Sequence, residues 1–179
     1  YFESDTVSFK SYICRKDLSG VIAEFKRKSP SNGNINEHAK VEAISIGYMQ
    51  AGAAALSVLT DEHFFGGYAA DLTEARKFNY CPILRKDFII DEYQVIESQS
   101  IGADAILLIA AALSPDEIKS LAALADSLGL EVLLEVRSKE EIDTCLNDYI
   151  DVIRVNNRDL TSFTVDIDVS MKLIKDIPE

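Results

Sequence analysis

Read along the chain, apolar residues first fall in short dense runs and then spread to helical spacing, and this pair of patterns repeats. Runs with strand character begin near Val21, Ala54, Pro82, Ala105, Glu131 and Val152. Between them, apolar residues recur three and four apart over roughly 36–51, 68–78, 91–101, 115–128, 138–147 and 168–176, the spacing of one helix face. Ser114-Pro-Asp-Glu117 supplies an N-cap, a proline at the first helical position and two acids in the first turn. Gly129 stands where the same helix needs a left-handed residue to stop. Strict alternation of strand and helix predicts a parallel sheet with right-handed crossovers. Residues 1–20 read as a polar lead-in, the end of a helix that packs across the bottom of the fold, ahead of a single unit over 21–179.

Two parallel architectures fit that order. No Gly-x-Gly-x-x-Gly follows the first strand, which counts against a dinucleotide-binding doubly wound sheet. Eight repeats of this length would come to a little over 200 residues, the size of a (β/α)8 barrel. Six are present. The pattern therefore predicts an incomplete TIM barrel with about six parallel strands, C-shaped and with both edges bare.

Period-two alternation places particular side chains inside such a barrel. Glu24 and Lys26 share a face at the end of the first strand, just before the loop Ser29-Pro-Ser-Asn-Gly33. Lys86 shares a face with Leu84 and Phe88, Glu135 with Leu133, and Asn156 with Arg154 and Val152. The opposite faces of these strands are apolar as well, as in strands buried on both sides. A charge there reaches water only at the top of the lumen, where barrel enzymes keep their sites. Buried charges are costly unless paired, so this set is a candidate site. Arg85 and Asp87 alternate away from the lumen and read as structural, while His38 and His63 read as surface residues.

Six segments, in order, resemble the indole-3-glycerol phosphate synthase family. They are Val21-Ile-Ala-Glu-Phe-Lys-Arg-Lys-Ser-Pro-Ser-Asn-Gly33, Leu59-Thr-Asp-Glu-His-Phe-Phe-Gly-Gly67, Pro82-Ile-Leu-Arg-Lys-Asp-Phe88, Gly102-Ala-Asp-Ala-Ile-Leu-Leu-Ile109, Leu133-Leu-Glu-Val136 and Val155-Asn-Asn-Arg-Asp-Leu160. The resemblance implies a cofactor-free lyase of tryptophan biosynthesis acting on 1-(2-carboxyphenylamino)-1-deoxyribulose 5-phosphate. By residue match it implies Lys86 as principal general acid and Glu135 as general base. Lys26 is implied as the electrostatic partner of the substrate's carboxylate and hydroxyl and as an acid in dehydration, oriented by Glu24. Ser29, Asn156 and Arg158 would hold polar groups, and Phe65, Phe88 and Leu107 would wall the aromatic ring. Two departures stand out. Arg154 occupies a position where the family pattern has glycine, which predicts either a contact with Glu135 or Glu24 or a distorted strand. The family's last two strand–loop segments, which carry most of its phosphate site, do not appear, so the chain reads as a fragment that turns over poorly alone. A Schiff-base aldolase using Lys86 and a non-catalytic ligand-binding remnant are the alternative readings.

Composition narrows the partners. Thirty acidic against 18 basic residues give a net charge of −12, which argues against nucleic acid and anionic membranes but leaves room for a local basic pocket. Cys14, Cys81 and Cys145 are odd in number and widely spaced. They read as reduced cytosolic thiols, with neither disulfide framework nor metal site. No run is long and apolar enough to span a bilayer, and residues 1–5 have no signal-peptide character.

Overall fold

The computed structural model describes residues 1, 4–158 and 164–178; Asp159 and Leu160 of the sixth motif lie outside these. The elements, in order, are helix α1 (Phe9–Ile13), strands β1 (Ile22–Phe25), β2 (Lys28–Ser29) and β3 (Gly33–Asn34), α2 (Val41–Gln50), β4 (Ala55–Leu59), α3 (Glu62–Phe65), α4 (Ala69–Phe78), β5 (Ile83–Lys86), α5 (Glu92–Ser100) and β6 (Ala105–Ile109). A 3-10 turn at Ala110–Ala112 leads to α6 (Pro115–Ser127), β7 (Glu131–Val136), α7 (Lys139–Cys145), β8 (Val152–Val155) and α8 (Asp168–Leu173).

The main sheet has six strands, all paired in parallel, in the order β1-β4-β5-β6-β7-β8. Each strand therefore adds beside the one before it. A doubly wound sheet would reverse direction partway along the order, whereas a barrel winds one way throughout. The sheet curls accordingly: Glu24 on β1 comes within 3.9 Å of Lys86 on β5, two strands away. β2 and β3 form a separate two-residue antiparallel pair within the loop after β1.

Both faces of the sheet are covered. On the outside, Phe25, Leu56, Val58 and Ile83 pack with Leu72 and Ala75 of α4. Further round, Ile106, Leu108, Val132 and Leu134 pack with Ile118, Leu121, Ala122 and Ala125 of α6. On the inside, Ala55, Leu84, Ala105, Leu107 and Leu133 form a third cluster around Phe9. The lead-in thus supplies the floor of the lumen. It is tied there by backbone N–H groups: Val7 donates to Asp104 (2.7 Å) and Lys10 to Glu131 (2.6 Å).

Local signals explain where the helices begin and end. Ser114 caps α6 in a reciprocal capping box with Glu117, and Gly129 closes it at φ +74°. α2 starts at Val41 rather than at residue 36. Its expected first turn is diverted because the Asn36 side chain accepts from His38 N, while Ile35 N and Asn36 N both donate to the Arg27 carbonyl. Gly67 sits where a Cβ would collide with the Leu59 carbonyl. That close approach lets the loop after β4 fold back over its own strand. Among the described residues no helix is long and apolar enough to cross a membrane.

Candidate active site

The strand ends enclose a cavity of about 300 Å³. β1 sends in Glu24, and Lys26 follows just past the strand's end. Lys86 ends β5, Leu107 and Ile109 come from β6, and Glu135 from β7. Arg154 of β8 completes the ring, with Asn156 and Arg158 just beyond that strand. Phe65 and Phe88 close one side. Nine of the ten residues singled out in the sequence meet here.

Ser29 is the exception. It lies in β2, buried, with its hydroxyl accepting from Asn32 N (3.2 Å) and 3.4 Å from Ser31 Oγ. In this arrangement it braces the turn between β2 and β3 and does not line the cavity.

The charged groups are wired in pairs. Glu24 is shared: Lys26 Nζ donates to Oε1 at 2.7 Å and Lys86 Nζ lies 3.9 Å from Oε2. Glu135 is shared as well. Asn156 Nδ2 donates to its Oε1 at 2.7 Å, and the Arg154 guanidinium contacts its Oε2. The β8 register is regular, Glu135 opposite Arg154, so the strand keeps its form and the arginine finds its carboxylate in the neighbouring strand. Asn156 is held at its other end too, because Arg158 N donates to Oδ1 at 3.0 Å.

Burial pushes the Lys86 ammonium below its ordinary value. Glu24 pulls the other way, and the cations of Arg154 and Lys26 deepen the depression. Lys86 Nζ also faces the Phe65 ring at 5.8 Å from its centre. Phe65 and Phe88 lie 6.3 Å apart at a tilt, and Phe64 meets Phe88 edge-on at 5.8 Å. The result is an apolar wall facing several cations. That combination suits an aromatic ring carrying negative charge.

Other lining residues escaped the sequence reading. Asp61 caps α3, its Oδ2 accepting from Phe64 N (2.6 Å) and Phe65 N (3.0 Å), and so fixes the aromatic wall. An aspartate just before the four-residue helix was the available signal. Ile109 follows Leu107 by simple alternation. Asp87 borders the cavity but is engaged with Thr60 and Arg85, and Arg85 is buried behind the strand against Gln94, Ser98 and Glu97. Arg85 thus lies away from the lumen as the alternation implied, whereas Asp87, though it braces Arg85, borders the cavity the alternation turned it from. His38 is well exposed. His63 borders a larger and more open cavity of about 520 Å³ outside the strand ends, with Arg27, Lys28 and Tyr68. That hollow lacks the paired lysines and carboxylates.

Comparison with known proteins fixes the lineage. The sequence model described as indole-3-glycerol phosphate synthase matches residues 2–179. The chain belongs to that family. It is 51% identical over 172 residues to the indole-3-glycerol phosphate synthase of Bacteroides thetaiotaomicron, covering 96% of this chain and 65% of that one. With the Chromobacterium violaceum synthase it shares 48% over 161 residues, 90% of this chain and 61% of the other. The chain therefore spans about two thirds of the length of these relatives. Among solved structures, the N-acetylmannosamine-6-phosphate 2-epimerase of Clostridium perfringens superposes with a TM-score of 0.62 at 14% identity, covering 98% of this chain and 79% of that one. That likeness speaks to the fold, a one-way-wound α/β barrel architecture.

Proposed function

We propose that this cavity is the site of indole-3-glycerol phosphate synthesis, the ring closure of 1-(2-carboxyphenylamino)-1-deoxyribulose 5-phosphate with loss of carbon dioxide and water. The observation that carries the reading is the convergence of Lys26, Lys86, Glu24, Glu135 and Asn156 from separate strands on one cavity walled by Phe65, Phe88 and Leu107. Family membership supplies the reaction; the geometry is consistent with its demands. The anthranilate ring lies against the phenylalanines and Leu107, and its ring carbon attacks the sugar carbonyl. Lys86 serves as general acid to that oxygen, and its lowered proton affinity brings it nearer the working pH. Glu135 takes the proton released during dehydration. Lys26 stabilises the substrate's negative charge, and Glu24, bound to both lysines, holds them apart and aimed. Asn156 fixes Glu135, and Arg158 faces the ligand's polar groups.

The substrate is thus a small phosphorylated anthranilate–sugar conjugate, and the cytoplasm is where we place the reaction. Turnover of that conjugate, followed by indole fluorescence, is the test. It is run on the 179-residue chain and on a form extended to the length of its relatives. Indole formation by the extended form is expected, with little from the shorter chain. An extended form that folds and makes no indole overturns the reading.

A further inference from the structure

Arg154 occupies the lumen side of β8, opposite Glu135 in a regular parallel register. With Asn156 on Oε1 and Arg154 on Oε2, both oxygens of Glu135 are engaged by donors from the last strand of the sheet. A base must offer a free lone pair to the proton it takes. In this arrangement the oxygen facing Arg154 is committed to a charge-assisted bond.

The two ends of that pair are unequally placed. The Glu135 side chain is 7% exposed and the Arg154 side chain 41%, so of the two residues lining the cavity here Arg154 is the more open to it. The other acids bordering the cavity are already engaged. Glu24 is shared by Lys26 and Lys86, Asp61 holds the N–H groups of α3, and Asp87 holds Thr60 and Arg85. A carboxylate entering the cavity therefore meets, besides Lys26, Lys86 and Arg158, a guanidinium whose partner, Glu135, can be exchanged for it. Planar two-pronged recognition favours a carboxylate at such a group, and the long side chain can turn toward the opening without disturbing the ladder of β8.

We propose that Arg154 is a carboxylate-operated latch on Glu135: a ligand carboxylate takes over the guanidinium and frees Glu135 Oε2 as an acceptor. The exchange makes and breaks hydrogen bonds only. It rests on the reading of the cavity as a site for an aromatic carboxylate. It also makes Arg154 a specificity residue, because a ligand without the carboxylate leaves Glu135 latched.

The test is a titration of the 179-residue chain with anthranilate and, separately, with its uncharged isostere 2-aminobenzamide, reading arginine side-chain nitrogen and glutamate carboxyl carbon signals by nuclear magnetic resonance. Anthranilate is expected to move the Arg154 and Glu135 signals together; the amide moves neither and binds at least about tenfold more weakly. In Arg154→Met that preference disappears. Should this variant not fold, Arg154→Lys carries the test, since a point charge retains part of the preference and loses the paired signal change. The latch is overturned by an unchanged preference in Arg154→Met, by anthranilate saturating the cavity with the Glu135 signal unmoved, or by neither compound binding. The functional reading fails separately: an extended chain that makes no indole, while anthranilate still moves both signals, leaves the latch standing without that reaction.

Discussion

Protonation of Lys86 works against the fold that holds it. Its side chain is mostly buried, and burial keeps its proton affinity below the ordinary lysine value of 10.5 despite Glu24 nearby. The unfolded chain therefore binds a proton at this position more tightly than the folded one. Stability from Lys86 accordingly rises with pH between its folded and unfolded values, and the full cost is present below that window. Lys86→Met should be more stable than the parent at neutral pH, with the advantage shrinking as the pH approaches 10.5. Denaturant unfolding at both ends of the range checks this; a variant less stable at neutral pH would mean that the pairing with Glu24 outweighs burial. For catalysis the direction reverses. In a form with full turnover, Lys86→Ala should lose at least about 10²-fold in rate, and near-normal turnover would remove Lys86 as the acid. Glu135→Gln should impair the rate similarly while the chain still folds.

The elements behave as their local signals require where those signals are short-range. Strand starts expected at Val21, Ala54, Pro82, Ala105, Glu131 and Val152 are observed at Ile22, Ala55, Ile83, Ala105, Glu131 and Val152, because alternation and flanking turns are written within a few residues. The N-cap at Ser114 and the stop at Gly129 were legible for the same reason. Arg154 meeting Glu135 followed from strand order plus the need of a cation in the lumen for a partner. Ser29 was not legible. Which way its hydroxyl points depends on the pairing of Lys28 with Asn34 across the turn, a three-dimensional matter that period-two counting does not reach. The brace formed by Asp61 on α3 shows the same limit, since its effect is felt through Phe65. Asp61→Ala should cost about 1 kcal/mol from the lost cap and weaken binding of aromatic ligands, measurable by titration; unchanged affinity would free the aromatic wall from α3. Phe9 is fully enclosed, clustered with buried lumen residues from the four strands β4 to β7. Phe9→Ala should cost about 3–5 kcal/mol, read as a shift in the denaturation midpoint.

At the scale of the whole molecule, β1 and β8 end the sheet order among the described residues. A parallel edge offers backbone donors and acceptors to any neighbour. Beside β8, Ile167, Met171 and Ile174 along α8 are each about two-thirds exposed, an apolar stripe next to an edge that no other strand covers among the described residues. The 179-residue chain should therefore self-associate with rising concentration, and sedimentation velocity that finds only monomer would contradict this. The floor of the lumen has a consequence in time. α1 precedes β7 by more than a hundred residues, yet Thr6, Val7 and Lys10 bind Gly129, Asp104 and Glu131, which lie 123, 97 and 121 residues further along. Contacts so distant in sequence form late and slow folding. Until β7 has been synthesised, Phe9 has no lumen to enter, and the nascent chain carries an unsheltered aromatic, a natural point of attachment for chaperones and for misassembly.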